Sequence, residues 1–334
     1  MKSLSSKSAS FLTSFPVPDY LSFRPTGIDI SPKAVRVLAL KQKKEGLLPD
    51  FYDEKILDEA CPILQNDDDI KACVELRVAL QELQEKHSIT FATISLPEVK
   101  TYIFKTTLPQ EALATVGDAL TVKIQENVPL DTSQIVYDYL FPGSIHSNGE
   151  AEVIVTVFPR NVIAAYTKLL EEIGIIPIAF ESESQSIARS VIEHEDTTPY
   201  LLMNLGYSRV NLAIIEHGIV SYTSSLSYSP EALIEDTNSG EAIELKRKIN
   251  QLLVYWFTNK RDSNNEEKIT TAILTGPYAT NQKIMQYLEE SAHIIVQPAN
   301  IWKNCFSLDD YVPTISRDHS LHYATAVGLA LITQ

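Results

Sequence analysis

The sequence predicts an α/β protein of two similar lobes, with a small αβ domain inserted into the first lobe. Strand and helix patterns alternate along the 334 residues, which indicates sheets covered by helices. A β-hairpin pattern around Asp29 recurs 175 residues later, around Asn204, and internal similarity of this kind indicates a duplication. The pattern also changes at Pro97, where a compact β-α-β-β-α segment begins.

The first lobe begins with a hairpin. Apolar segments 26–30 and 34–40 flank Ser31-Pro32-Lys33, which has the composition of a turn. A third strand is predicted at 51–57 and a buried strand at 91–96. Between them, acidic residues 67–69 place negative charge at the start of a helix that ends near residue 87. The predicted buried face of this helix contains Ile70, Val74, Val78 and Leu83.

The inserted segment covers residues 97–174 and is short enough to sit between two pieces of a larger domain. Its predicted elements are strands at 102–107, 135–141 and 152–158, a helix from Pro109 to about Asn127, a closing helix at 159–174, and a polar loop at 143–149. The first lobe then resumes with a strand at 175–180 and a helix at 183–193.

The second lobe repeats the opening hairpin with strands at 201–205 and 210–215, and adds a strand at 220–224. A long amphipathic helix follows from 240 to about 260, with Ile243, Ile249, Leu252, Leu253 and Trp256 as its apolar residues. Strands at 271–274 and 294–296, a helix at 279–291 and a terminal helix at 322–332 complete the prediction.

These elements give five parts. They are a flexible N-terminal arm at 1–24, a first lobe at 25–96 plus 175–199, the inserted domain at 97–174, a second lobe at 200–318, and a C-terminal helix at 319–334 that packs back on the first lobe.

Charge and composition exclude several classes of function. Lys and Arg number 28 against 43 Asp and Glu, a net charge of −15, so the chain repels nucleic acid and anionic lipid. Cys61, Cys73 and Cys305 form no C-x-x-C pair and predict neither a zinc site nor a disulfide framework, which favours a reducing compartment. The N-terminus has no signal-peptide core, and apolar runs such as 252–257 are far shorter than the ~20 residues of a membrane helix.

The duplicated hairpins are the strongest candidate for a binding site. Two turns that face each other across a cleft can hold the phosphates of a nucleotide, because their amides point inward and a preceding acid can orient hydrated magnesium. Asp29 precedes the first turn and is suited to such a magnesium shell, whereas Asn204 precedes the second turn and lacks the charge. Pro32 in the first turn has no N–H to offer a phosphate.

Four segments together resemble the PilM family of type IV pilus assembly proteins. They are 26–40, the helix Glu183-Ser184-Gln185-Ser186-Ile187-Ala188-Arg189, 204–212, and Ile273-Leu274-Thr275-Gly276 through Tyr287-Leu288. Leu96-Pro97, Leu108-Pro109, Glu126-Asn127-Val128-Pro129 and Asp138-Tyr139 resemble the small inserted domain of that family in order and spacing. The resemblance covers nearly all of 25–334, and it is the shared order of individually weak motifs that makes it specific.

The resemblance implies an actin-like fold, which is a duplicated ribonuclease H-like fold related to FtsA-type proteins, with a nucleotide cleft between the lobes. It implies ATP and Mg²⁺ as cofactors, and the residues that would contact them are Asp29, Ser31, Lys33, Asn204, Gly206, Ser208 and Gly276, with Asp29 reaching the metal through water. It also implies a groove for the cytoplasmic N-terminal peptide of a single-span membrane partner, PilN, and a place among other pilus assembly proteins.

Departures from the family pattern predict a degenerate nucleotide site. Ser31 stands where the family usually has Gly, Asn204 where it has Asp, Gly276-Pro277-Tyr278 where it has three glycines, and Lys248 and Asn250 where it has Glu and Arg. Each lost charge-assisted hydrogen bond weakens binding by roughly 1.5–3 kcal/mol. Whether the Tyr278 ring stacks on an adenine or fills its pocket is open. No catalytic residue is assigned; Glu183 is a weak candidate for positioning water, and a helix N-terminal role competes with it.

The sequence therefore favours a cytoplasmic scaffold, peripheral at the inner membrane through its partner, in a type IV pilus or related secretion machine. The partner peptide is expected to dock near residues 97–174 by strand addition or by apolar anchoring. An active actin-like ATPase whose nucleotide state switches lobe closure is the alternative. A lipid-binding filament is disfavoured because no amphipathic tail follows the last helix up to Gln334.

Three further motifs have simpler interpretations. His319-x-x-His322 resembles a metal pair, but its segment offers no carboxylate or cysteine, so a solvated helix start is favoured. Basic residues 246–248 are expected on the solvent face of a helix rather than on phosphate. Acidic residues 67–69 are expected at a helix N-terminus rather than on Ca²⁺, because a calcium loop needs spaced ligands and a turn glycine.

Overall fold

The protein contains two five-stranded sheets and one three-stranded sheet. The computed structural model describes residues 25–142, 149–227, 230–259 and 268–332. The strands are β1 Thr26–Ser31, β2 Ala34–Lys43, β3 Gly46–Ile56, β4 Phe91–Leu96, β5 Tyr102–Pro109, β6 Ile135–Leu140, β7 Glu150–Pro159, β8 Ile176–Ser182, β9 Tyr200–Leu205, β10 Val210–Glu216, β11 Ile219–Leu226, β12 Thr271–Thr275 and β13 Ile295–Pro298. The α-helices are α1 Asp67–Ala72, α2 Val74–His87, α3 Val116–Asn127, α4 Arg160–Glu172, α5 Glu183–Val191, α6 Pro230–Glu235, α7 Gly240–Asn259, α8 Gln282–Ala292, α9 Arg317–Ser320 and α10 Ala324–Ala330.

The two large sheets have the same topology. The first has the order β3-β2-β1-β4-β8 and the second has the order β11-β10-β9-β12-β13. In each sheet the first three strands are antiparallel neighbours and the last two run parallel to the first strand of the hairpin. The hairpin repeat in the sequence is therefore part of a repeat of whole sheets, and the fold is a two-lobed α/β fold of the predicted class.

Helices α5 and α10 lie between the sheets. Helix α10 packs on β1, β2, β4 and α5, and residues of both helices belong to the apolar core that includes the second sheet. At Gly328 in α10 a Cβ atom would overlap the carbonyl oxygen of Ser186 in α5, so only glycine allows this close approach. Helix α10 thus connects the two lobes.

Two predicted helix faces differ from the structure. The predicted helix at 67–87 is broken at Cys73 into α1 and α2, and the break shifts the helical phase. Val74 and Val78 are consequently 61% and 47% exposed, and the buried residues of α2 are Leu76, Ala79, Leu80 and Leu83. In α7, Ile243 is 62% exposed, because Ala242 and Leu245 occupy the side that packs into the core together with Ile249, Leu252 and Trp256.

The inserted segment contributes the third sheet, with the order β5-β7-β6. Helix α3 covers one face, where Leu120 and Ile124 pack on Val153, Val155 and Val157. Helix α4, which was predicted to complete the inserted domain, instead packs its apolar side into the core of the first lobe with Val162, Ala165, Tyr166, Leu169 and Leu170. The apolar unit of the inserted segment therefore ends near β7.

Cys61 and Cys73 form a disulfide, with their Cα atoms 5.7 Å apart. The sequence predicted no disulfide framework, and this single bridge forms because the loop after β3 folds back to the break between α1 and α2. The Cys61 amide also donates to the carbonyl of Pro32 at 2.8 Å, so this loop supports the first hairpin turn. Cys305 is a buried free thiol.

No helix among the described residues is both long enough and apolar enough to span a bilayer. The predicted arm at 1–24, most of the loop at 143–149, the last residue of the predicted helix at 240–260, and residues 333–334 lie outside the described residues.

Candidate functional site

A cleft between the two hairpin turns contains every site residue named from the sequence. Its walls come from the turns after β1 and β9, the turn after β12, and the residues before α10. The predicted residues that line it are Asp29, Ser31, Lys33, Glu183, Asn204, Gly206, Ser208 and Gly276. The structure thus brings together residues that lie up to 247 positions apart in the chain, while their role toward a nucleotide stays a prediction.

In the first hairpin, Asp29 faces an arginine across the strand pair. The register of β1 and β2 places Asp29 opposite Arg36, and Arg36 Nη1 lies 3.2 Å from Asp29 Oδ2. The other carboxylate oxygen, Oδ1, accepts from the Ser95 hydroxyl at 3.0 Å. Both side chains of the ion pair are only 5% exposed. Burial raises the pKa of Asp29 above its usual value, and Arg36 and Ser95 partly oppose that shift.

Arg36 continues this network away from the turn. Its Nε donates to Glu54 Oε1 of β3 at 2.6 Å, and its guanidinium carbon lies 5.8 Å from the centre of the Tyr207 ring, a cation–π distance. Tyr207 in turn makes edge contacts with Tyr278 at 6.1 Å and with His322 at 6.4 Å between ring centres. The Arg36 guanidinium and the three aromatic rings therefore lie together at one end of the cleft.

In the second hairpin, two asparagines hold a glutamate. Asn204 and Asn211 are cross-strand partners, and their amide groups donate to Glu183 Oε2 at 3.5 Å and 2.9 Å. Glu183 is the first residue of α5, after the N-cap Ser182, so it occupies the helix N-terminal position that competed with a catalytic role. Thr275 Oγ1 donates to Asn204 Oδ1 at 3.3 Å and completes the asparagine's contacts.

Burial is the main reason that the pKa of Glu183 is raised to about 8, and repulsion from Asp29 and Glu98 adds to it. Glu98 is itself buried and accepts from the Ser184 amide at 3.0 Å, and burial raises its pKa as well. A glutamate that keeps its proton at neutral pH cannot take a proton from water there. Asn204 and Asn211 donate to this carboxyl group, and a role of Glu183 toward water or substrate stays a prediction.

The remaining predicted residues use their polar groups locally. Ser31 Oγ donates to the Ala34 carbonyl at 2.9 Å and Lys33 Nζ donates to the Asp58 carbonyl at 2.6 Å. The Gly206 amide donates to the Arg209 carbonyl at 2.9 Å within its turn. Gly276 has φ +91° and lies against the Leu205 carbonyl, a backbone conformation and an approach that require glycine.

The residues as arranged do not fit a magnesium triphosphate. The cavity between them has a volume of about 30 Å³, enough for one or two water molecules and far below the roughly 300 Å³ of a small-molecule site. Both Asp29 carboxylate oxygens already have protein partners. Arg36 places its positive charge beside the carboxylate to which a hydrated Mg²⁺ would bind.

Sequence reasoning missed Arg36, Asn211 and Tyr207, all of which line this cleft. The signal for Arg36 was present, since an arginine between Val35 and Val37 in an otherwise apolar strand lies opposite Asp29 once the hairpin register is set. Asn211 has the same relation to Asn204 in the second hairpin. Tyr207 had no comparable signal, because its ring position depends on contacts with distant residues.

The simpler motifs were also placed by the structure. Acidic residues 67–69 form the first turn of α1, capped by Asn66. Arg247, the middle one of basic residues 246–248, pairs with Glu244 on the exposed side of α7. The hydroxyl of Tyr278, whose role in the cleft was left open, donates to Glu231 at 2.5 Å. His319 and His322 differ from expectation, because β3 brings the Glu54 carboxylate to them from a distant part of the chain.

Comparison with known proteins identifies the fold. No family model matches the chain, and no curated protein matches it. Among solved structures, a PilM–PilN type IV pilus biogenesis complex contains a chain that is 13% identical, with a TM-score of 0.71 over 92% of this chain and 98% of that one. The ethanolamine utilization protein EutJ of Carboxydothermus hydrogenoformans is 12% identical, with a TM-score of 0.47 over 95% and 91% of the two chains. The cytoplasmic domain of EpsL, from the type II secretion system of Vibrio cholerae, is 11% identical, with a TM-score of 0.46 over 81% and 95%. The likeness to the first of these, together with the duplicated sheet topology, shows that this chain has the actin-like fold.

Proposed function

We propose that this protein is an actin-like scaffold of a type IV pilus or related secretion machine. In this role it binds the N-terminal peptide of a single-span membrane partner and is thereby held at the cytoplasmic face of the inner membrane. The observation that carries the proposal is the fold shared with a chain of the PilM–PilN complex over nearly the whole of both chains. The motif order in the sequence supports it independently.

A degenerate nucleotide cleft is part of this proposal. The Asp29–Arg36 pair, the hydrogen bonds that the two asparagines donate to Glu183 and the small cavity all favour a cleft that stabilises the lobes rather than one that turns over ATP. The second hairpin supports a fixed relation between the lobes, because Asn204 and Asn211 donate to Glu183 of α5.

The outer strand of the inserted sheet is our candidate for the docking site. Strand β6 pairs only with β7 among the described residues, so one of its edges is open to strand addition. Val136 and Leu140 lie on its outward face at 38% and 49% exposure, with the exposed Asp138 between them, and Phe141 follows at 44%. An extended peptide with apolar side chains opposite Val136 and Leu140, and a polar one opposite Asp138, would match this edge.

The test is binding of the N-terminal peptide of the single-span protein encoded beside this gene, measured by fluorescence anisotropy with the full chain. We expect saturable binding, weakened at least tenfold in the double variant Val136→Asp with Leu140→Asp. Val312→Asp is the matched control, because Val312 is an exposed valine, 80% accessible, outside the inserted sheet. No binding by the unmodified chain would refute the proposed function, whereas binding unaffected by the double variant would refute only the docking site.

The ATPase alternative has one observation in its favour, since Lys33, Arg36 and Arg209 all line the cleft and offer positive charge to phosphate. Titration with a fluorescent ATP analogue in the presence of Mg²⁺ distinguishes the two. The scaffold proposal expects no saturable micromolar binding. Binding that Asp29→Ala abolishes would establish the alternative.

A further inference from the structure

Two histidines and a glutamate from distant parts of the chain converge beside the cleft. His319 lies in α9 and His322 in the turn that follows it, and their ring centres are 4.8 Å apart. Glu54 of β3 faces both rings across the boundary between the first sheet and the segment that leads to α10. The histidine pair alone was a weak metal signal in the sequence, and Glu54 supplies the carboxylate that was missing.

The distances suit a single ion. Glu54 Oε2 lies 3.3 Å from His319 Nε2 and Glu54 Oε1 lies 3.6 Å from His322 Nδ1. One ligand atom from each of the three residues can be chosen so that all lie within 4.8 Å of one another. Zinc binds nitrogen and oxygen at about 2.0–2.2 Å, so neighbouring ligand atoms around a tetrahedral ion are about 3.4 Å apart. Small rotations of the exposed His319 ring bring the set to that geometry.

One nitrogen of the cluster lacks a hydrogen-bond partner in the part of the chain that the structure describes. His322 Nδ1 is buried and has no hydrogen-bond partner among the described residues, since 3.6 Å to Glu54 is longer than a hydrogen bond. Buried polar atoms are almost always satisfied, and an unsatisfied one is explained by strain, a catalytic role, a water molecule or an ion. A metal ion would satisfy this nitrogen directly.

The surroundings prepare the carboxylate for a metal. Arg36 holds Glu54 Oε1 at 2.6 Å and thereby orients the group with Oε2 toward His319, the kind of support that metal ligands receive from the residues behind them. His319 is 46% exposed on its side chain, which gives an ion a path from solvent. Arg36 also lowers the affinity through its charge, so we expect micromolar rather than much tighter binding.

We propose that Glu54, His319 and His322 form a binding site for a divalent transition-metal ion of the zinc class. Two imidazoles and one carboxylate suit Zn²⁺, Co²⁺, Ni²⁺ or Cu²⁺ and disfavour Mg²⁺ and Ca²⁺. Three protein ligands leave a position for water. The ion would tie strand β3 of the first lobe to the segment before α10, beside the cleft, and this site does not depend on the proposed scaffold function.

The test uses the full chain without a histidine tag, stripped of metal with EDTA and desalted, and titrated with ZnCl₂ by calorimetry. We expect one equivalent of zinc, bound at least tenfold more weakly by His319→Ala and by His322→Ala. His194→Ala is the matched control, because His194 is exposed and outside the cluster. His319 is itself largely exposed, so its variant is expected to fold even where His322→Ala is damaged; circular dichroism checks both.

Cobalt adds a readout of the ligands themselves. Co²⁺ bound by the chain should show visible d–d absorption without a thiolate charge-transfer band, and this spectrum should be lost in His319→Ala. Absence of stoichiometric zinc binding by the unmodified chain, equal affinity in the His319→Ala variant, or a thiolate band would each overturn the proposal.

Discussion

The two hairpins that face the cleft have the same register but different polar pairs. Asp29 lies opposite Arg36 in the first, and Asn204 lies opposite Asn211 in the second, so both pairs are related by the same offset of 175 residues. The first pair is a buried ion pair that continues to Glu54. The second is neutral and directs its amide groups to Glu183.

The difference shows that the same hairpin register can hold two kinds of polar network. In the first hairpin, charges compensate each other within the lobe. In the second, the asparagines bind an acid that belongs to α5, and burial lets that acid stay protonated. The first network therefore depends on retaining every charge, whereas the second depends on the proton of one carboxyl group. Three predictions separate them.

The largest effect is expected in the first hairpin. Arg36→Ala leaves Asp29 and Glu54 without their shared cation, and breaking a buried pair in this way costs about 3–5 kcal/mol of unfolding free energy. Thermal or urea unfolding at pH 7 measures the loss. The double variant Asp29→Asn with Arg36→Met removes the buried pair and should recover part of the lost stability, because Glu54 still lacks its cation.

The control for this variant is Arg77→Ala. Arg77 pairs with Glu172 at 2.8 Å, with both side chains at least one-third exposed, so its loss should change stability by about 0–1 kcal/mol. If Arg36→Ala were no more damaging than Arg77→Ala, the first hairpin would not depend on its charges.

The second-largest loss of stability is expected at the turn of the first hairpin. A disulfide-closed loop supports this turn, and among the described residues the second hairpin has no corresponding disulfide. The disulfide between Cys61 and Cys73 closes a short loop whose Cys61 amide bonds to Pro32 in that turn. By loop-closure entropy, the double variant Cys61→Ala with Cys73→Ala should lose about 2–3 kcal/mol. Urea unfolding with and without a reductant measures this.

The reductant also provides the control. It should lower the stability of the unmodified chain and leave the double variant unchanged, and the oxidised native chain should show only the Cys305 thiol after denaturation. Three reactive thiols without reductant would contradict the bridge.

Much of the fold follows from local patterns in the sequence. The hairpin at 26–40 and its repeat at 201–215 were recognisable because alternating apolar residues flank polar turns. Asp29 and Asn204 were recognisable as cleft residues because they precede those turns, whereas Gly276 was named through the family resemblance. The hairpins depend on residues that are close in the sequence, and the periodicity of apolar residues reflects such local relations.

Other features depend on contacts between distant segments. Nothing near Val74 signals the helix break that turns it to solvent, because the break depends on the loop that brings Cys61 to Cys73. Glu54 lies 265 residues from His319, so no local spacing rule connects them. The Asp29–Arg36 pair is intermediate between local and distant contacts. The register of the hairpin places the two residues opposite each other, so the contact could have been predicted from the hairpin.

The third prediction tests the second hairpin through the pH dependence of the free energy of unfolding. The pKa of Glu183 is raised to about 8 in the folded state from an ordinary value of 4.5, so the folded chain binds the proton more tightly than the unfolded chain. Stability should therefore fall as pH rises from about 4.5 to 8, and level off above that. Glu183→Gln stays neutral at every pH and keeps an oxygen for the Asn211 amide.

We expect Glu183→Gln to have a flatter stability profile over this range and to be more stable than the unmodified chain at pH 9, because the unmodified chain has by then lost the stability linked to its raised pKa. Urea unfolding at pH 5, 7 and 9 measures both profiles. Asp131→Asn, at an exposed acid outside the cleft, should leave the profile of the unmodified chain in place. A variant with an unchanged profile would mean that Glu183 is ionised at neutral pH, and the second hairpin would then hold a charge, as the first one does.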